Sequence, residues 1–489
     1  MTQDQLQDAS LSEMLMAGGQ PFKTWLAGLV AQVAGDDNVG MYRPRSRKGV
    51  IRPNSVEQVR DVLRLASQSE ESVALHALST GRNWGLGSRE AAQDASLALD
   101  LSGLKQVRAL DLDAGWAVVE PGVTQGQLAA LLAGSPRMIN VTASSAHSSV
   151  LGNGVDRGVG LRRQRVEDLV GLEVVLPDGE VMRVGWWPDA ERPSPVYPYG
   201  LGPSPLQLFF QSNLGVVTAA VVRLMPRPEA LRVVRLSFAR ERLAEAIDVL
   251  QRWSAQGMVR GVLKVYDATA GALYGGGIGE YLTHVCVDGT AAVVEAMTTV
   301  ILDEANRSGL FLHVSHSDQR DPRLSGNVVA EMVASAYAGD PSRNDTLLQA
   351  TLGQDAENID AAGRGWLFFL PLIPFHGEAI DRAQRLLAQV YDETGVHCGA
   401  TINALNSDVI DYVVAIKFER NADEARRAHQ ALDRLYQLFS AAGFIPYRLD
   451  VDHQDWIDGL SPDQAARDFV RGIKGMLDPR AVIAPGRYA

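Results

Sequence analysis

Cysteine is almost missing from this sequence. Its 489 residues contain two, Cys286 and Cys398, which excludes both a disulfide framework and a cysteine-based metal site. Long apolar runs are missing too: none approaches the roughly 20 residues that cross a bilayer, so no membrane partner is expected. The opening MTQDQLQDASLSEM has no basic stretch followed by an apolar core. A secretory signal is therefore not expected, and the cytoplasm is the expected location. Positive charge is in deficit, with 46 Lys and Arg against 58 Asp and Glu and a formal charge of −12. Nucleic acid is disfavoured as a partner on that ground, because affinity for phosphate backbones comes mainly from clustered Lys and Arg. What is present is ordinary, 46% hydrophobic and 21% charged residues. That is the mix of a globular, enzyme-sized protein, and its length requires two or more packed domains.

Residues 1–40 read as a helical arm, polar to amphipathic, ending in a turn at Asp36-Asp37. The basic run Arg43, Arg45, Arg47 and Lys48 reads first as a solvated surface loop and second as a phosphate contact. Residues 41–228 mix short helices and strands with many glycines. Val59, Val62 and Leu63 share one face of a helix over 56–66, with Asn54-Ser55 as its cap. Residues 171–185 read as a hairpin with Asp178-Gly179 as a two-residue turn. Residues 229–442 follow another order, and follow it twice. Strands at 231–238, 262–266 and 281–287 alternate with helices at 242–253 and 290–306. Strands at 366–372, 397–405 and 409–418 then alternate with helices at 377–393 and 423–442. This is the ferredoxin-like plan duplicated, and two such units can form one wide antiparallel sheet with helices on one face. The stretch between them, roughly 308–364, is polar and irregular and reads as loop-rich. Residues 443–489 form a separate tail with a helix around 462–476. The expected fold class is α+β.

Four glycine-rich segments carry the chemistry. Ser79-Thr80-Gly81-Arg82-Asn83-Trp84-Gly85-Leu86-Gly87 follows a strand, and its glycines let successive backbone N–H groups face one concavity, which suits a pyrophosphate. The spacing is not G-x-G-x-x-G, so an ordinary Rossmann site is a poor reading. Pro121-Gly122-Val123-Thr124 ends a strand and enters a helix. Ser149-Val150-Leu151-Gly152-Asn153-Gly154-Val155-Asp156-Arg157-Gly158-Val159-Gly160 lets backbone approach a flat or anionic ligand closely. Tyr197-Pro198-Tyr199-Gly200-Leu201-Gly202-Pro203 leads into Ser212-Asn213-Leu214-Gly215-Val216-Val217-Thr218. Any one of these alone reads as a turn; the four in this order are specific.

Together they resemble the flavin-binding half of the vanillyl-alcohol oxidase and p-cresol methylhydroxylase (4-cresol dehydrogenase) family. The resemblance runs from about residue 40 to the end. It implies a PCMH-type FAD-binding domain over 41–228 and a cap over 229–442, whose wide sheet of duplicated ferredoxin-like units covers the isoalloxazine. It also implies a tail over 443–489 that returns to the FAD domain through Asp478-Pro479-Arg480 and on to Arg487. The FAD contacts it implies are Ser79, Thr80, Gly81, Arg82, Asn83, Trp84, Gly85, Leu86, Pro121, Gly122, Val123, Ser149, Gly152, Asn153, Asp156, Gly158, Gly160, Asn213, Gly215, Val216, Val217 and Arg487. The Tyr-Pro-Tyr-Gly segment points to the phenol-oxidising branch. Many relatives attach FAD through a histidine of the first loop, which has none here. Others use a His or Tyr on a cap strand, and matching 413–418 to that strand puts Tyr412 at the position. By alternation, however, Ile410, Tyr412, Val414, Ile416 and Phe418 share one face and read as core. Noncovalent FAD is expected, with Tyr412 the candidate for a link.

The implied reaction moves a hydride from a small phenolic or anionic substrate to flavin N5. Tyr447-Arg448 match the family's phenolate-stabilising pair, and a guanidinium beside a phenol suits any small oxyanion. The family's loop tyrosine is Leu86 here, and its acidic residue near N5 falls near Ser144. His147 is the candidate base, though a lone His in a serine-rich loop also reads as a plain hydrogen-bonding residue. His313 and His316 lack an aligned carboxylate cluster, so no metal is expected. The run Arg162-Arg163-Gln164-Arg165 reads as solvated, with guidance of an anionic substrate to the site as the alternative. The alternatives are an alcohol or 2-hydroxy-acid dehydrogenase on the same scaffold, and a flavin-binding protein that has lost catalysis. Expected partners are a small-molecule substrate, a second copy in a homodimer or higher homo-oligomer, and oxygen or an acceptor protein for the electrons.

Overall fold

The order of elements follows from where the apolar periodicity changes. A computed structural model describes Thr24, Gln32–Val33 and residues 38–82, 84–267 and 279–488. The arm expected over 1–40 and the loop residue Asn83 lie almost wholly and wholly, respectively, outside these residues.

The N-terminal half contains two larger sheets and a two-stranded one. Strands β1 (Gln32–Val33), β2 (Ser46–Ile51), β3 (Leu75–Leu78) and β4 (Ser96–Asp100) form one in the order β1-β2-β4-β3, with β4 parallel to both β2 and β3. Helix α1 (Val56–Gln68) buries Val59, Val62 and Leu63 against it, and Ser55 caps α1 by accepting the Gln58 N–H. Strands β5 (Val107–Asp111), β6 (Trp116–Val119), β8 (Leu169–Val175), β9 (Val181–Gly185) and β10 (Val216–Arg223) form the other, antiparallel in the order β5-β6-β10-β8-β9. Short β7 (Arg137–Met138) pairs with β11 (Met225–Pro226). Two short helices, α2 (Gln125–Leu131) and α3 (Val150–Val155), start at Thr124 and Ser149 caps inside the second and third glycine segments.

The C-terminal half is an eight-stranded antiparallel sheet. Its first unit is β12 (Ala230–Ala239), α4 (Leu243–Ala255), β13 (Leu263–Tyr266), β14 (Glu280–Gly289), α5 (Ala291–Ser308) and β15 (His313–His316). Its second is β16 (Arg364–Phe369), β17 (Leu372–Pro374), α8 (Gly377–Thr394), β18 (Cys398–Ala404), β19 (Val409–Glu419) and α9 (Ala422–Ala441). The strand order β15-β12-β14-β13-β18-β19-β16 joins the units edge to edge at β13–β18. The helices cover one face, where Leu250, Ile380, Leu432 and Phe439 are fully buried, each worth about 1.5–3 kcal/mol of burial. The α+β class and the duplicated plan hold.

Four expectations need correction. Residues 308–364 are not plain loop: α6 (Val328–Tyr337) and α7 (Asn344–Leu352) occupy them. Helix α6 buries Val329, Met332, Val333, Ala336 and Tyr337 around most of its circumference, so it lacks the polar stripe by which a helix is recognised. The basic run is not a solvated loop. It enters β2, and Arg45 is buried on Asp452 at 2.6 Å. Arg162 pairs with Asp288, Arg163 with Asp168 at 2.7 Å, and Arg165 is buried beside Asp168. The turn between β8 and β9 is wider than two residues. Gly179, at φ 87°, donates to the Leu176 carbonyl, and Pro177 has no N–H with which to close a tighter ladder. The tail does come back: Leu75 N–H donates to the Val482 carbonyl and Ala484 N–H to the Leu75 carbonyl, laying residues 482–484 along β3.

Candidate active site

A cavity of about 490 Å³ lies between the glycine segments and the helix-free face of the eight-stranded sheet. One wall brings together Ser79, Thr80, Gly81, Arg82, Leu86, Pro121, Ser149, Gly152, Asn153, Asp156, Gly160, Gly215, Val216, Val217 and Arg487. These segments pack without slack. Ser149 N–H donates to Thr80 Oγ1 at 3.1 Å, and a Cβ on Gly152 would stand 2.2 Å from Ser79 Oγ. Two buried polar atoms on this wall, Asn153 Oδ1 and Arg487 Nε, have no partner among the described residues. An acceptor and a cationic donor left open beside a glycine cradle fit a dinucleotide with a flat polar ring and a pyrophosphate.

Other expected residues stand off the cavity. Val123 is core, and a Cβ on Gly122 would meet the Ser102 carbonyl at 2.3 Å, so both serve packing. Gly85 accepts from Tyr42 OH, with Phe368 against its Cα, while Trp84 packs on the α7 cluster. Gly158 leaves room for the Asn153 side chain, and Asn213 donates to the Ala484 carbonyl. His147 is exposed, with its N–H on Ser145 Oγ. It cannot serve as a base inside the cavity.

The opposite wall is set by strand alternation. On β19 the residues Asp411, Val413, Ala415 and Lys417 face the cavity, which sends Tyr412 to the helix side. There Tyr412 is fully buried, stacks on Phe439 and accepts from Gln384 Nε2 at 2.6 Å. Its expected place beside the flavin ring is therefore overturned, and its phenol is pushed well above its ordinary pKa by burial. Trp366, Phe368 and Leu370 add an apolar strip.

Tyr447 and Arg448 do reach the cavity. The tail is guided there by Tyr447 N–H on the Leu370 carbonyl and Gln211 Nε2 on the Tyr447 carbonyl at 2.9 Å. Arg448 is 8% exposed; its Nε donates to the Asp156 carbonyl and its Nη2 lies 3.4 Å from Asp156 Oδ2. Tyr488 OH donates to Asp156 Oδ1 at 3.1 Å. The sequence reading missed a polar cluster beside this pair. Lys264 Nζ donates to Asn403 Oδ1 at 2.7 Å, and Asn403 Nδ2 donates to Asp411 Oδ2 at 3.1 Å. Burial pushes the Asp411 carboxyl up to about 6 against the opposing pull of Asn403, Lys264 and Arg448. Burial lowers Lys264 to about 8 while Asp411 holds it up. No motif marks these residues; the only local sign is a charged residue inside each of two apolar strands. Among the described residues, no group of three metal-ligating side chains forms, and no helix is long and apolar enough to cross a membrane.

Comparison with known proteins agrees with this geometry. Residues 47–185 match a family described as an FAD binding domain. The chain is 28% identical to the 1'-carboxy-chondrochloren decarboxylase of Chondromyces crocatus, over 90% of each protein. It is 24% identical to the 4-cresol dehydrogenase [hydroxylating] flavoprotein subunit of Pseudomonas putida, over 89% of this chain and 87% of that one. Its fold matches p-cresol methylhydroxylase with substrate bound at a TM-score of 0.80 and 23% identity, covering 91% of this chain and 89% of the other. It also matches the 4-ethylphenol oxidase of Gulosibacter chungangensis at a TM-score of 0.78 and 23% identity, over 90% and 89%. The chain thus carries an FAD-binding domain, shares the fold of p-cresol methylhydroxylase, and is an FAD-dependent oxidoreductase.

Proposed function

We propose that the protein takes a hydride from the carbon attached para to the hydroxyl of a small phenol. The observation that carries this reading is the Tyr447–Arg448 pair on the cavity wall, with the guanidinium buried and the phenol half-buried. A guanidinium in a site shielded from water stabilises an oxyanion far more than it would in solution. A phenolate pushes electron density toward its para carbon and so eases departure of a hydride from the attached carbon. Bound FAD supplies the two-electron acceptor. It would be held without a covalent bond by the segments at 79–86 and 149–160 and by Arg487, because the first loop has no histidine and Tyr412 faces away. Trp366, Phe368 and Leu370 would orient the aromatic ring and exclude water.

The relatives named for cresol and ethylphenol support a phenolic substrate. The relative named as a decarboxylase of a carboxylated compound favours a second outcome on the same site. If the next carbon bears a carboxylate, its C–C bond can break as the hydride leaves. Those electrons then form the C=C bond of an alkenyl phenol, and carbon dioxide departs.

Anaerobic mixing of the FAD-loaded protein with 4-alkylphenols, their methyl ethers and 2-hydroxy acids tests the reading. Flavin bleaching by the phenols and not by the ethers is expected. Bleaching by the hydroxy acids alone, or equally by phenols and ethers, would sink it. Carbon dioxide released from a carboxylated phenol would establish the second outcome.

A further inference from the structure

A row of polar side chains crosses the eight-stranded sheet on its cavity face. Strand register sets Ser315 opposite Arg235, Arg235 opposite His284, His284 opposite Lys264, Lys264 opposite Asn403 and Asn403 opposite Asp411. The row ends at the cavity. Asn403 is held at both ends, by Lys264 on its oxygen and by Asp411 Oδ2 on its nitrogen, so its orientation is fixed. That fixes the carboxylate in turn. Asp411 is 1% exposed, lines the cavity, and keeps Oδ1 with no hydrogen-bond partner among the described residues. A buried carboxylate oxygen without a donor is costly unless a ligand supplies one. The other carboxylate near Arg448, Asp156, is already engaged by Tyr488 and Arg448.

We propose that Asp411 is the base that accepts the hydroxyl proton of the substrate as it docks against Arg448. The inference rests on the phenol reading above and adds the group that ionises the phenol. In the step the substrate O–H bond breaks, its electron pair stays on the phenolate oxygen, and an O–H bond forms at Asp411 Oδ1. One anion replaces another, so the charge facing Lys264 and Arg448 is unchanged and no additional negative charge is buried. The groups that face Asp411 are Lys264 from β13, Asn403 from β18, and Tyr447 and Arg448 from the tail. Burial against these cations leaves its carboxyl near 6, ionised at neutral pH and more basic than a solvated aspartate.

The test uses FAD-loaded protein and 4-hydroxyacetophenone, a phenol whose ultraviolet band moves on ionisation and whose para carbon has no hydride to lose. Titration at about pH 7.5 reads its ionisation, and calorimetry in buffers of different ionisation enthalpy counts protons released. Wild type should bind it ionised and release none, because the proton stays on Asp411. Asp411→Asn keeps the shape and the Asn403 contact, and should bind the ligand neutral or ionise it only with release of a proton. Flavin reduction by a reactive 4-alkylphenol should fall by about 10²–10⁴ in Asp411→Asn, with partial recovery in Asp411→Glu. The wild-type rate should drop as pH falls through 6 and the carboxylate is lost, a limb absent from Asp411→Asn. If wild type releases a full proton on ionising the ligand, or if Asp411→Asn matches it in spectrum and proton count, Asp411 is not the base. The wild-type spectrum and proton count together decide even where the variants do not fold, because neutral binding, or ionisation with a full proton released, overturns the proposal. If no phenol binds at all, the phenol reading falls and takes this inference with it, an outcome distinct from binding with the wrong proton count.

Discussion

The two walls of the cavity are built by opposite means. The glycine wall is made of backbone: turns, short helices and close approaches in which adding one methyl group drives atoms together, as at Gly152. The sheet wall is made of side chains, and residues far apart in sequence become neighbours only through register. Backbone construction suits a cofactor that never changes, because N–H groups and φ angles tolerate little variation. Side-chain construction suits a substrate, because one exchange on a strand alters what is recognised and leaves the scaffold intact.

That contrast can be broken by experiment. The largest effect is expected from Gly152→Val, whose side chain would force the third segment away from Ser79. The purified variant should lose most of its flavin, read as the ratio of visible to protein absorbance. Full flavin content would mean that the glycine wall does not hold FAD. Arg448→Ala should do the reverse and keep its flavin. Flavin reduction by a substrate phenol should then slow by the equivalent of about 2–5 kcal/mol, the usual cost of leaving a buried charge unpaired. Lysine there should recover only part, since it keeps the charge and loses the planar fork. Equal rates in all three proteins would mean that the tail arginine does not hold the substrate anion. The smallest effect is expected from Tyr412→Phe, which faces neither the flavin nor the substrate. It loses the bond from Gln384, worth about 1 kcal/mol, so the melting temperature should fall slightly. Flavin should be released by acid equally from variant and wild type; colour that stays with the precipitated wild type and leaves the variant would overturn the noncovalent reading.

The same contrast explains what could be read from the sequence. The glycine wall was legible because its residues lie in short segments whose order is specific. The duplicated sheet was legible because its helices, such as α9, keep a clean apolar stripe. Tyr447 and Arg448 were found through their motif. Lys264, Asn403 and Asp411 were not, because each is a polar residue in a largely apolar strand and gains meaning only when β13, β18 and β19 align. His147 shows the converse: proximity in sequence to the third segment does not bring its ring into the cavity. On β19 alternation alone separated Tyr412 from Asp411, and there the core reading of Tyr412 was the correct one.

The polar row has a consequence for how the sheet assembles. Side chains on a strand alternate, so a slip of one residue between neighbours exchanges their faces, and a slip of two keeps the face but changes the partners. An all-apolar row would be nearly indifferent to the second error, since one branched residue replaces another. Here a two-residue slip of β13 against β18 would set Lys264 opposite Thr401 or Leu405 in place of Asn403 and take its ammonium away from the amide that holds Asp411. Misaligned pairings would thus bury unmatched charge and be disfavoured by several kcal/mol. The same side chains that shape the floor of the cavity also act as an alignment key for the joint between the two halves of the sheet.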